Sequence, residues 1–242
     1  MNKFKLALAG LVAGAAMISA PAAQAESDFS FSGNVAFTND YVYRGFTQSN
    51  EDFAVQGGFD IEHSSGFYIG TWASSVEFGD STSSELDFYA GFAGDIANSI
   101  FSYDVGVIYY FYPGDPANSG QNFWEFGGSL SADLGMAGIS IGAWFSPDFY
   151  ANSGDSLHVP IDIEIPIPLG NSDDFGLAFS GGVAWNEFFD LGPGADYVNW
   201  HLGLTLSITD IADIDLRYHD TDVSACNNVC DERFVVTVSR GF

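Results

Sequence analysis

The chain has 242 residues, 32 of them acidic and 6 basic, for a formal net charge of −26. Such a surface excludes electrostatic binding of nucleic acid or anionic lipid, and it attracts cations. No run after residue 25 approaches the ~18 apolar residues that a transmembrane helix requires. Any membrane role of this part must therefore use strands.

Residues 1–25 are predicted to be a Sec signal peptide. The segment contains both lysines of the chain, a short apolar core over 6–18, and "AQA", the small-x-small pattern that signal peptidase requires. We predict cleavage between Ala25 and Glu26, which leaves 26–242 as a single β-domain. This remaining chain has four basic residues, all arginine, against 32 acidic ones.

Period-two alternation dominates the rest of the chain and predicts strands. In "FSFSGNVAF", for example, Phe29, Phe31, Val35 and Phe37 share one face, and small polar residues share the other. We predict twelve strands, with ten or fourteen as alternatives. Their expected ranges are 29–39, 53–63, 66–78, 85–97, 99–112, 122–134, 137–149, 156–168, 173–187, 196–209, 212–221 and 231–242.

Strand length and loop length together favour an antiparallel transmembrane β-barrel over a secreted β-sandwich. Each predicted strand has ten or more residues, against ~5–6 in soluble sheets and ~9–11 for a strand that crosses a bilayer. Connections after even-numbered strands are tight, and those after odd-numbered strands are mostly longer. Outer-membrane barrels combine short periplasmic turns with longer external loops in this way.

The last residue, Phe242, closes an alternating apolar strand. This ending matches the C-terminal signal that the barrel assembly machinery of the outer membrane reads. Arg240 interrupts the apolar face at one position, where an arginine near the interface can extend to lipid headgroups. We therefore expect contact with outer-membrane lipid in a Gram-negative bacterium.

If each apolar face contacts lipid, the other face lines the lumen. This face carries many acids and, besides Arg217 and Arg44, no other arginine. The predicted pore-lining acids are Asp60, Glu62, Asp87, Asp104, Glu125, Asp133, Asp162, Glu164, Asp213 and Asp215. A lumen lined by carboxylates favours cations over anions.

Arg44 lies in "NDYVYRGFTQSN", in a chain that has very few basic residues. Extending the alternation of the first strand places Arg44 on the polar face, at the outer mouth of the barrel. The same extension places Tyr41 and Tyr43 on the lipid side, in an external aromatic girdle. We expect Arg44 to pair with a carboxylate and shape the entrance; direct contact with a solute is the alternative.

The only cysteines, Cys226 and Cys230, are spaced C-x3-C in a loop. In an oxidising compartment this spacing favours a structural disulfide over a metal site, for which only His219 lies nearby. External acidic segments such as "SNEDF" do not match the EF-hand spacing, so we read them as solvated loops. We predict no metal site and no cofactor.

The pattern predicts a porin-like channel for small solutes or cations, not an enzyme. A plugged structural or adhesive barrel is the main alternative. The protein could also form a homo-oligomer, which the sequence does not decide. An outer-membrane enzyme is less favoured because no histidine shows a Ser–His arrangement suited to lipid chemistry. His63 falls in a predicted turn, and His158 follows a polar loop, where we expect it to be solvated.

Four segments carry a resemblance to a known family. They are "NDYVYRGFTQSNEDFAVQGGFDIEHSSGFYIGTWASSVEF", "ELDFYAGFAG", "YDVGVIYYFYPG" and "GAWFSPDFY". The chain resembles the TorF family of porins, which is also described as a Gcw-type domain of proteobacterial proteins. The resemblance implies an outer-membrane barrel and supplies no binding residues.

Overall fold

A computed structural model of the chain describes residues 28–117, 119–170, 174–224, 226 and 228–242. The predicted signal peptide and its cleavage site at Ala25 and Glu26 lie outside these residues. Within the described ranges, no helix is both long enough and apolar enough to cross a membrane.

The described residues form a closed antiparallel barrel of twelve strands and a separate two-stranded hairpin. The predicted fold class and strand number are thereby confirmed. The barrel strands are β1 (Phe29–Thr38), β4 (Ala54–His63), β5 (Phe67–Ser75), β6 (Ser84–Asp95), β7 (Phe101–Phe111), β8 (Phe123–Asp133), β9 (Gly138–Ser146), β10 (Ser156–Ile167), β11 (Phe175–Phe188), β12 (Tyr197–Ile208), β13 (Ala212–Thr221) and β14 (Arg233–Gly241). The hairpin consists of β2 (Val42–Tyr43) and β3 (Phe46–Thr47).

Each barrel strand pairs with its neighbour in sequence, and β1 closes the ring by pairing with both β4 and β14. Phe242 completes the closure, because its N–H donates to the carbonyl of Gly33 at 2.9 Å. Closure removes the free sheet edges on which other chains could pair. The short connections, such as 64–66 and 209–211, meet at one end of the barrel, which we call the turn end. The longer ones meet at the opposite end, the loop end.

The outward face of the barrel is apolar. Along β14, for example, Phe234, Val236 and Val238 are exposed, whereas the alternate residues Arg233 and Val235 are buried. Inside the barrel lie carboxylates, tyrosines and small polar residues. A soluble protein has the opposite arrangement, and this one suits a barrel surrounded by lipid.

The first loop-end connection folds into the barrel instead of extending away from it. Its hairpin, β2–β3, reverses at Arg44 and Gly45, whose φ angles are 51° and 89°. Tyr41 is only 2% exposed and packs on Trp72, with 5.4 Å between the ring centroids. The prediction of Tyr41 and Tyr43 in an external girdle is therefore wrong. Because the chain turns at Arg44, the alternation of β1 cannot be extended through it.

Candidate functional site: the barrel lumen

A cavity of about 550 Å³ lies inside the barrel, between the hairpin and the inner wall. Its lining extends from Tyr43 and Arg44 on the hairpin to Ser207 and Asp213, which flank the 209–211 connection at the turn end. Seven of the predicted pore-lining residues surround this one cavity. They are Arg44, Glu125, Asp162, Glu164, Asp213, Asp215 and Arg217.

The tip of the hairpin is held by a buried ion pair. Nη2 of Arg44 lies 2.7 Å from each carboxylate oxygen of Glu125, and the two side chains are 8% and 1% exposed. Tyr197 of β12, on the opposite wall, donates its hydroxyl to the Arg44 carbonyl at 3.1 Å. The hairpin tip therefore bridges two walls of the barrel.

The surroundings of Arg44 keep it protonated. Burial by itself lowers the pKa of its guanidinium, but the Glu125 carboxylate raises it, and the net change is upward. The rings of Tyr43 and Phe149 also pack on the guanidinium, with centroids 4.8 and 5.4 Å from Cζ. Such contacts stabilise a desolvated cation.

The base of the hairpin is fixed by a second ion pair. Asp40 lies 2.8 Å from Arg233 of β14 and accepts hydrogen bonds from the hydroxyls of Thr47 and Ser49. Arg233 is 9% exposed. Arg233 is thus a third arginine inside the barrel, which the prediction of only Arg44 and Arg217 missed.

The connection between β13 and β14 supports the hairpin from the loop end. A disulfide joins Cys226 to Cys230 in this connection, in the pairing that the sequence predicted. Between the two cysteines, Val229 accepts a hydrogen bond at 2.8 Å from the N–H of Thr47 in β3. The disulfide-closed segment therefore contacts the hairpin backbone directly.

One inner wall, formed by β4–β8, is built from tyrosine–carboxylate pairs. The Tyr89 hydroxyl donates to Asp60 at 2.5 Å, and the Tyr68 hydroxyl donates to Asp104 at 2.8 Å. Asp87 is fully buried on the same wall, and its carboxylate has no hydrogen-bond partner among the described residues. These three predicted acids are inside the barrel but do not line the cavity.

The opposite wall, formed by β10–β13, carries a charged strip along the cavity. Arg217 lies 2.9 Å from Asp215 and donates to the Ser180 hydroxyl at 2.9 Å. The guanidinium lies over Gly203, where a Cβ would be 2.8 Å from Cζ. Glycine at this position therefore makes room for the arginine.

The remaining predicted acids lie near the turn end. Glu62 is exposed one residue before the end of β4. Asp133 ends β8 and accepts a hydrogen bond from the N–H of Gly135, so it caps the turn that follows. Glu164 and Asp213 line the cavity, and neither has an ion pair within the described part of the chain.

Several residues inside the lumen were missed from the sequence. Glu85 is 1% exposed and accepts a hydrogen bond from Tyr41 at 2.9 Å. Glu85 lies two positions before Asp87 in β6, so period-two alternation places both on the same inner face and could have identified Glu85. The expectation of a solvated His158 is wrong. This residue lies in β10, where it lines the cavity, and its ring nitrogen hydrogen-bonds Asn186 at 2.7 Å. His201 and His219 also line the cavity.

Comparison with solved structures gives the fold class. The chain is similar to a structure titled KdgM porin, with a TM-score of 0.60 and 10% identity over 87% of this chain and 99% of that one. A structure titled NanC porin matches with a TM-score of 0.51 and 10% identity over 88% and 98% of the two chains. An outer membrane channel from Pseudomonas putida F1 matches with a TM-score of 0.50 and 12% identity over 91% and 97%. The fold is that of outer-membrane porin barrels.

The family is shown by the sequence. The chain belongs to a family of bacterial proteins of unknown function (Gcw_chp), whose model matches residues 22–242. This match confirms the Gcw-type resemblance. A search of curated proteins finds no match to the chain.

Proposed function

We propose that the protein, after removal of residues 1–25, is a porin-like channel in the outer membrane of a Gram-negative bacterium. It passes small solutes or ions by passive diffusion, as the porins of the TorF family are expected to do. The observation that supports this role best is a cavity of about 550 Å³, with charged side chains in its lining, inside a closed barrel with an apolar outer face. Phe242 serves as the signal for the barrel assembly machinery.

The channel prefers cations, because acidic groups outnumber basic ones around the cavity. Six carboxylates and two guanidinium groups line it: Asp40, Glu125, Asp162, Glu164, Asp213 and Asp215 against Arg44 and Arg217. Carboxylates around a narrow passage lower the free energy of a cation and raise that of an anion. The reversal potential in a salt gradient measures this preference.

The hairpin β2–β3 is the constriction of the channel. It occupies the loop-end part of the lumen and contacts both β8 and β12 there, so a solute has to pass around the hairpin to reach the cavity. Twelve-stranded barrels are intermediate between small barrels filled by side chains and wide channels. An inserted hairpin narrows the passage further and limits it to small solutes.

A plugged structural barrel is the second candidate. Its supporting observation is the tight fixation of the hairpin by the Arg44–Glu125 and Arg233–Asp40 pairs. In that case the hairpin does not leave a continuous path, and the cavity opens only at one end.

Planar bilayers distinguish the two candidates. The purified protein, shown to be folded by heat-modifiable migration in gel electrophoresis, is incorporated into a bilayer in potassium chloride. A channel gives discrete conductance steps, whereas a plugged barrel gives none at any voltage. A variant in which residues 39–53 are replaced by a short Gly-Ser linker is the control, because removing the hairpin should open either barrel to a larger conductance.

A further inference from the structure

We infer, on the basis of the proposed cation passage, that His201 and His219 form a binding site for divalent transition-metal ions in the lumen. Both side chains line the cavity on the β10–β13 wall. The ligand class is a borderline-soft cation such as Zn²⁺, Cu²⁺ or Ni²⁺, for which imidazole nitrogen is a preferred ligand. Such a site would make the channel selective for this class of ion during passage.

The two histidines are directly opposite each other on neighbouring antiparallel strands. His201 of β12 pairs in register with His219 of β13, and the ring centroids are 5.9 Å apart. A zinc ion lies about 2.1 Å from each imidazole nitrogen, so two rings that share one ion have centroids roughly 5 to 6 Å apart. The two rings can therefore bind one ion with small side-chain rotations.

A carboxylate lies beside the pair. Oδ1 of Asp162 is 3.6 Å from Nε2 of His201, and the Asp162 side chain is 42% exposed. Gly182 lies between them in register, and a Cβ there would overlap the Asp162 carboxylate and lie 2.6 Å from Cε1 of His201. The missing side chain brings the carboxylate and the imidazole together and gives the ion an oxygen ligand or a hydrogen-bonded water.

The surrounding charges are compatible with a bound cation. Arg217 is the nearest guanidinium on this wall, and its charge is balanced by Asp215 at 2.9 Å. Arg233, the register partner of His219, is paired with Asp40. Glu164 and Asp213, without an ion pair in the described residues, add negative potential toward the turn end of the cavity.

The site should bind metal ions with lower affinity than a structural metal centre does, because a permeating ion has to be released again. Within the described residues, no three His, Cys, Asp or Glu side chains already surround a single point that could hold a metal ion. Two nitrogen ligands therefore act with water, and Asp162 joins after a small movement. Conduction requires binding that is favourable enough for entry but weak enough for release.

Binding is tested directly with Cu²⁺ and Zn²⁺ on the detergent-solubilised, heat-modifiable protein. Electron paramagnetic resonance of one equivalent of Cu²⁺ should show nitrogen ligation, and calorimetry should show Zn²⁺ binding that Ca²⁺ does not reproduce. The double variant His201→Gln/His219→Gln should lose both signals. His63→Gln removes a half-buried histidine at the turn end that does not line the cavity, and it should keep both signals.

A single substitution serves as a second test in case the double variant loses metal binding only because it misfolds. Asp162→Asn keeps both imidazoles and should weaken Zn²⁺ binding by about tenfold, the size of effect found for groups that support metal ligands. Copper and zinc binding that is unchanged in both the double variant and Asp162→Asn overturns the site.

Conductance measurements distinguish failure of the proposed metal site from failure of the proposed channel function. In the wild-type channel, Zn²⁺ should reduce the potassium current reversibly, and the double variant should be insensitive. A conducting protein whose current ignores Zn²⁺ overturns the site while the channel function stands. A protein that binds Zn²⁺ through the two histidines but never conducts retains the site and overturns the channel function.

Discussion

Arg44 combines an unfavourable backbone conformation with a favourable side-chain environment. A non-glycine residue rarely adopts a φ of 51°, and the two-residue turn it shares with Gly45 would more commonly contain Asn-Gly. The buried contact with Glu125 holds Arg44 in this conformation, because removing either partner would leave an uncompensated charge. Breaking a buried pair in this way costs about 3–5 kcal/mol.

Replacing Arg44 tests whether the ion pair holds the hairpin in the lumen. Arg44→Ala leaves Glu125 buried without its cation, so we expect the hairpin to detach and the single-channel conductance to rise. The barrel should still assemble, because the hairpin contributes no strand to its ring. The double variant Arg44→Ala/Glu125→Gln removes both charges, so its single-channel conductance should be closer to that of the wild type. Wild-type conductance and ion selectivity in Arg44→Ala would show that the pair does not control the passage.

The hairpin is an element held at both ends. Its tip contacts Glu125 of β8, and its base contacts Arg233 of β14 and the segment closed by the Cys226–Cys230 disulfide. The bond from Thr47 N–H to the Val229 carbonyl connects β3 to that segment. The disulfide should therefore limit the motion of the hairpin without forming part of the barrel wall.

Removing the disulfide tests this support. In Cys226→Ser/Cys230→Ser we expect faster proteolytic cleavage within 39–53 and noisier single-channel currents, because the Val229 contact is no longer held in place. Heat-modifiable migration should persist, since β13 and β14 keep their pairing. Val223→Ala, a change in the same connection that keeps both cysteines, is the control. Equal cleavage rates in the cysteine variant and the wild type would rule out the supporting role.

At the scale of the whole molecule, the barrel places apolar side chains outside and polar ones inside. Neighbouring residues of one strand therefore have opposite surroundings. Val236 is exposed on the outer face, whereas Thr237 lines the cavity and pairs in register with Asp215. A charge should thus have opposite effects at these two consecutive positions.

An arginine at each position measures this difference. Val236→Arg near the middle of β14 should reduce the free energy of unfolding in lipid by about 2–4 kcal/mol, as a charge facing the hydrocarbon does. Thr237→Arg, next to Asp215, should assemble normally and shift ion selectivity toward anions. Denaturant titration in vesicles measures the stability. A similar loss of stability at both positions would contradict the assigned outer and inner faces.

The sequence predicts the barrel well because alternation is a local signal that repeats in every strand. For β4 the predicted range of 53–63 differs from the observed Ala54–His63 by one residue. The hairpin could not be predicted in the same way, because Arg44 takes a turn conformation that depends on a partner about 80 positions away in β8. The opposition of His201 and His219 likewise depends on the register between strands, which alternation within each strand does not fix.

The reversal potential of the wild-type channel across a potassium chloride gradient tests the central claim most directly. The carboxylate-rich cavity predicts a potential of the sign set by potassium, with potassium more permeant than chloride. This preference should weaken as the salt concentration rises, because ions screen the lumen charges. A potential of the sign set by chloride, or the absence of any conductance in folded protein, would contradict a cation-preferring passage through this barrel.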